Sequence, residues 1–149
     1  MTARIIATLV ATQLALVVNP AVAATPAQTY ASKIVSATNT VRVNHELPKF
    51  GGNLCVKGFA VRQARRMANQ ERMFHQNLGP VLSKCGLRTA GENVAFGFPT
   101  GRAVVFQGWV PSPSHLANIL DRDFRLLGAA ARKSDNGVWY AAQVFGTKL

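Results

Sequence analysis

The stretch Ala90-Gly-Glu-Asn-Val-Ala-Phe-Gly97 constrains the fold of this chain more than any other. It places Glu92, one of only three glutamates, inside an apolar run bounded by glycines. A carboxylate among Val94, Ala95 and Phe96 is unfavourable to bury unless other groups pair with it. The chain must therefore bring donors from elsewhere to this segment, which reads as a short strand. His75 before it and His115 after it are the candidates.

The first residues stand apart from the rest. Arg4 precedes a nearly unbroken apolar run, Ile5 to Val18, which Asn19-Pro20 breaks before Ala21-Val22-Ala23. That order of charged, apolar and small-residue regions predicts a secretory signal peptide over residues 1–23. The run is shorter than the roughly 20 residues of a membrane span, and no later segment is apolar enough to be one. Residues 24–149 then make one domain. Export and an even count favour a disulfide between Cys55 and Cys85. The alternatives, a metal pair or a reactive thiol, lack a Cys-x-x-Cys spacing.

Within that domain, Ala24 to Gln28 reads as a flexible leader. Tyr30, Ile34, Ala37 and Val41 recur at helical steps, and Leu47-Pro48 ends that helix. Asn39 and Arg42 share one side of it, as a solvated face or a buried bridge. Asn53 predicts the cap of a second helix, which runs to Met73-Phe74-His75 with Val56, Ala60, Ala64 and Met67 inward. Its arginines Arg62, Arg65, Arg66 and Arg72 belong to the solvent face. Val81 to Cys85 predicts a short helical turn. A third helix starts near Thr100 and stops at Pro111. Ser112 or Ser114 caps a short helix carrying His115. Phe124 to Arg132 and Val138 to Phe145 predict strands joined at Asp135-Asn136-Gly137, a turn that needs positive φ. Alternation puts Trp139, Ala141, Gln143 and Phe145 on one face of the last strand.

The formal charge is +11, from 17 basic and 6 acidic residues. For an exported chain this favours anionic partners such as lipid headgroups and wall polymers. Nucleic acid is disfavoured, because the basic residues are dispersed and not interleaved with aromatics that stack bases.

In order, the chain carries Asn39-x-x-Arg42, the Ala-rich second helix, Gly91-Glu-Asn-Val94, Trp109-x-x-Ser112, Ser114-His-Leu-Ala-Asn-Ile-Leu120 and Gln143-Val-Phe-Gly146. This ordered set resembles the CAP superfamily of cysteine-rich secretory, antigen 5 and pathogenesis-related proteins, and within it the compact bacterial SCP-like extracellular branch. The resemblance implies an α+β fold, a three-layer α-β-α sandwich with a small antiparallel sheet. It also implies a cleft lined by His75, Glu92, His115 and Gln143. Some members of the family bind a divalent metal in that cleft. Here Ser112 stands where the eukaryotic pattern has Glu, and no His-Tyr-Thr-Gln precedes the last strand. The implied metal set therefore shrinks to His75, Glu92 and His115, which would hold zinc with an open position.

The resemblance further implies a secreted protein that binds lipid, sterol or cell-envelope components in that cleft. The alternative is a metal-assisted hydrolase, in which Glu92 and a histidine serve as general base or metal ligands. Binding is the favoured reading over enzymatic activity. No Gly-x-Ser-x-Gly elbow is present, and bridged cysteines leave no thiol nucleophile.

Overall fold

Thr25 and Gln28 start the first helix by capping each other. The Thr25 hydroxyl accepts from the Gln28 N–H at 3.2 Å, and the Gln28 side chain accepts from the Thr25 N–H at 2.7 Å. This satisfies two donors that a helix start leaves orphaned, and Pro26 occupies the first turn at no cost. In the computed structural model, which describes residues 23–149, helix α1 therefore spans Pro26–Asn44. The segment expected to be a flexible leader is partly helical. The predicted signal peptide, apart from Ala23, lies outside the described residues.

The chain continues through β1 (Gly51–Gly52), α2 (Leu54–Gln70), α3 (Gly79–Cys85), β2 (Leu87–Phe96) and α4 (Gly101–Ala103). A π-helical turn over Val104–Trp109 extends α4, and then come α5 (Pro113–Leu120), β3 (Leu126–Lys133) and β4 (Trp139–Lys148). The strands lie in the order β1-β3-β4-β2. The β2–β4 and β3–β4 pairs are antiparallel, as expected, and the two-residue β1 joins β3 in parallel.

Side-chain alternation along β4 divides the interior in two. Ala141 and Phe145 point to a cluster with Ile34, Val41, Val105, Trp109 and Ile119, from α1 and the α4–α5 region. Tyr140, Ala142 and Val144 point to a cluster with Val56, Ala60, Met67 and Val81, from α2 and α3. The result is the expected α+β sandwich of helix, sheet and helix.

Arg42 takes the bridging role. It is 1 % exposed. Its Nε donates to the Pro48 carbonyl at 2.7 Å, and its Nη1 donates to the carbonyls of Ile119 and Asp121, each at 2.9 Å. It thus ties α1 to the end of α5. Burial, and then the nearby Arg125, lower its pKa, while Asp121 opposes them. The Cys55–Cys85 disulfide forms as expected and ties α2 to α3 across 30 residues. Closing such a loop stabilises by roughly 3–4 kcal/mol in the chain-entropy view.

Helix α2 ends five residues before His75, earlier than its apolar pattern suggests. Glu71 adopts left-handed φ 47°, and the Arg72 N–H turns back to the Met67 carbonyl at 3.1 Å. The segment after it is neither helix nor strand, and the buried Gln63 holds it through the Phe74 carbonyl. The π turn was not foreseen either. In it the Val110 N–H reaches five residues back to Val105 at 2.8 Å.

Candidate functional site

The site is built at the β2 edge of the sheet, where the chain wraps from one helical layer to the other. Successive residues of a strand face opposite sides, so Glu92 and Asn93 look into different layers. Glu92 faces the segment that follows α2, and its side chain is only 2 % exposed. Its Oε1 accepts from His75 Nδ1 at 2.8 Å and from the Gln76 N–H at 3.1 Å. Its Oε2 accepts from the Gln76 side-chain amide. A carboxylate can only accept, so the imidazole hydrogen is on Nδ1. The His75 ring is otherwise turned to solvent, at 60 % side-chain exposure.

Asn93 organises the other face. Its Nδ2 donates to the His115 carbonyl at 3.0 Å and to Gln143 Oε1 at 3.2 Å. Gln143 passes the chain on to the Thr38 hydroxyl of α1. Asn118 of α5 joins the two halves, donating to the Glu92 carbonyl at 3.2 Å and to Asn93 Oδ1 at 2.9 Å. Gly91 leaves room for both neighbours, because a Cβ there would come within 2.8 Å of the Phe124 ring and 3.3 Å of Asn118 Oδ1.

The expected cleft residues thus separate into two networks. His75 and Glu92 meet directly. Gln143 lies on the opposite face, paired across the strands with Asn93. His115 stands between them: its backbone belongs to the Asn93 network, while its ring feels the charge of His75. Gln76, Asn93, Asn118 and Thr38 carry much of the connectivity and were not singled out from sequence. Asn93 and Asn118 lie inside the Gly-Glu-Asn and His-Leu-Ala-Asn motifs, which is the signal that points to them.

Among the described residues His75, Glu92 and His115 are not gathered into one group placed to hold a metal ion. Three protein donors take up most of the acceptor capacity of the Glu92 carboxylate. Among the described residues no group of three or more His, Cys, Asp or Glu side chains is placed to hold a metal ion. The arrangement fits a latch instead, in which Glu92 fastens the segment after α2 to the sheet.

His115 gives this region a pH response. Its Nδ1 is buried with no hydrogen-bond partner. Burial, reinforced by His75, lowers its pKa from the ordinary 6.5. The unfolded chain therefore binds this proton at a higher pH than the folded chain does. Stability from this group is complete above about pH 6.5 and falls as the pH drops toward the lower folded value. Thermal melts between pH 8 and pH 4 should show a smaller loss below pH 6.5 in His115→Gln than in the wild type.

A family model described as CAP, the cysteine-rich secretory protein family, matches residues 35–145. No curated protein matches in sequence. Among solved structures, an outer surface protein of Borrelia burgdorferi superposes with TM-score 0.70 at 18 % identity, covering 79 % of this chain and 92 % of that one. An extracellular SCP-domain protein of Bacillus anthracis gives 0.70 at 24 % identity, covering 86 % of this chain and 45 % of that one. A cysteine-rich secretory protein of Staphylococcus aureus gives 0.70 at 18 %, covering 83 % and 40 %. This chain spans less than half the length of the last two. These likenesses show the same fold.

Proposed function

We infer, since this chain belongs to the CAP family of cysteine-rich secretory proteins, that it is a secreted binding module for anionic, phosphate-bearing components of a cell envelope. The observation that carries this reading is the surface charge. Among the described residues, Arg88 is the one lysine or arginine within ion-pair distance of an acid, 2.7 Å from Asp123. The other exposed cations have no such acidic neighbour. Lys57, Arg62, Arg65, Arg66 and Arg72 line the solvent side of α2 and its end. Arg62 lies over the Phe59 ring at 4.1 Å, and Arg72 over Phe74 at 4.8 Å, which orients their guanidinium groups. A field of uncompensated cations attracts polyanions and is screened by salt.

The latch supports binding over hydrolysis. A general base needs a free acceptor within reach of the proton it takes, and the Glu92 oxygens are already accepting three protein donors. The apolar leader read from the sequence supports export.

Co-sedimentation tests the reading. The mature protein should pellet with vesicles containing phosphatidylglycerol and remain in solution with phosphatidylcholine alone. Binding should fall at least tenfold between about 0.05 and 0.5 M salt, where the screening length shrinks to a few ångströms. Competition by soluble polyphosphate separates attraction to phosphate chains from attraction to a bilayer. Equal binding to neutral and anionic vesicles would overturn the proposal.

A further inference from the structure

We propose that the groove between α1 and α2 docks an acidic, extended polypeptide segment, which adds a strand to the open edge of β3. Strand β1 covers that edge only opposite Leu126 and Leu127. At Asn53 the chain then turns away to cap α2. From Gly128 to Lys133 the outer edge has no strand partner among the described residues. No hydrogen bond from the rest of the described chain closes it.

The space above this edge is a groove of about 640 Å³. Its floor is Gly128 to Arg132. Ala27, Ala31 and Val35 of α1 form one wall, and Leu54 and Val61 of α2 form the other. Leu54 is 86 % exposed and Val61 45 %, so the α2 wall presents bare aliphatic surface. The charged residues that line the groove, Lys57, Arg65 and Arg132, are all cationic. The open edge from Gly128 to Arg132 is on the order of 17 Å long, room for a strand of about five residues.

A strand added here would bond its backbone to the edge and alternate its side chains between the two walls. Side chains toward α1 would meet Ala27, Ala31 and Val35 beside the neutral Gln28 and Ser32, and those toward α2 would meet Lys57 and Arg65 among Leu54 and Val61. The fitting sequence therefore alternates apolar and acidic residues. The open edge decides against an acyl chain as occupant. Hydrocarbon laid along it would cover peptide groups without pairing them, which is unfavourable for each group so covered. A peptide backbone satisfies the same groups. This site shares Lys57 and Arg65 with the phosphate reading above, but pairing to the β3 edge does not depend on that reading.

The test is fluorescence anisotropy with three labelled peptides of about eight residues: alternating Glu-Val, alternating Lys-Val, and Glu-Val with every valine replaced by proline, which removes backbone donors. The Glu-Val peptide should bind saturably, the other two at least tenfold more weakly. Hydrogen exchange at Gly128 to Arg132 should slow when it binds. The exposed double substitution Lys57→Glu with Arg65→Glu should reverse the preference toward Lys-Val, with the melting temperature checked alongside. Equal binding of the proline peptide would overturn strand addition. An unchanged preference in the double variant would overturn the assignment to this groove. Palmitate that binds saturably and protects these amides, with no binding of Glu-Val, would make the groove a lipid site and overturn the proposal.

Discussion

Gly128→Ala should abolish the cooperative unfolding transition or lower the melting temperature by more than about 15 °C. The reason is the approach of α2 to the middle of the sheet. A Cβ at position 128 would lie 2.3 Å from the Lys57 nitrogen, 2.5 Å from its Cα and 2.6 Å from the Val56 carbonyl carbon. All three are backbone atoms of a helix, so no side chain can swing aside. Helix and strand must separate, and Val56 and Ala60, both fully buried, lose their seat against the sheet. Overpacking that a flexible side chain absorbs costs about 1–3 kcal/mol. Displacing a whole helix exceeds that range and falls among the exceptional losses above about 4 kcal/mol. For a domain of this size that corresponds to the stated shift, at roughly 4 °C per kcal/mol. Gly52→Ala is the control, because a Cβ there meets nothing within 4 Å. Circular dichroism melts of both variants measure the difference, and a Gly128→Ala protein melting within a few degrees of wild type would contradict this account of the packing.

The same close approach shows what a sequence conceals. Gly128 lies in the run Leu-Leu-Gly-Ala-Ala-Ala, which predicts a strand but says nothing of which helix needs the missing side chain. Periodicity made the main helices, the hairpin and the two faces of β4 readable, because burial on one side leaves a local trace. The hairpin turn was readable for the same kind of reason: Gly137 takes φ 81°, a conformation open to glycine. The end of α2 left no such trace. Met73 and Phe74 continue an apolar composition, yet Glu71 has already left the helix.

The site was legible as a set of residues and not as a geometry. The ordered motifs pointed to His75, Glu92, His115 and Gln143, and all four lie at or beside β2. Which face each occupies depends on strand register, a tertiary fact. Pairing of Asn93 with Gln143 puts that glutamine with Thr38 of α1, while Glu92 one residue away turns to the segment after α2. Asn118 reads the same way: its place in a motif was visible, but its bonds to the Glu92 carbonyl and the Asn93 side chain required the position of α5.

Glu92→Gln should leave the protein folded and lower its stability by about 1–2 kcal/mol, seen as a melting temperature lower by roughly 4–8 °C. The substitution preserves shape and removes charge. Glu92 Oε1 takes two donors and Oε2 takes a third. In the variant, one of these positions becomes an NH₂ group that faces a donor. With the NH₂ at the Oε2 position the Gln76 side-chain amide can flip and accept from it, so the three contacts survive without their charge; the opposite orientation sets the NH₂ against two donors and is disfavoured. Hydrogen bonds to a charged group contribute about 1.5–3 kcal/mol each, but His75 is largely exposed and recovers a water partner. The net loss is therefore the charge assistance of the two Gln76 contacts. The Gln76 amide should also exchange faster in the variant, because its acceptor is weakened. Binding to phosphatidylglycerol vesicles should be unchanged, since the cations that carry it lie elsewhere on the surface. The two readouts separate a latch from a reactive carboxylate. A fastener moves the melting temperature and leaves binding alone. If vesicle binding disappears while the melting temperature stays within a degree of wild type, Glu92 acts on a ligand and the latch assignment is wrong.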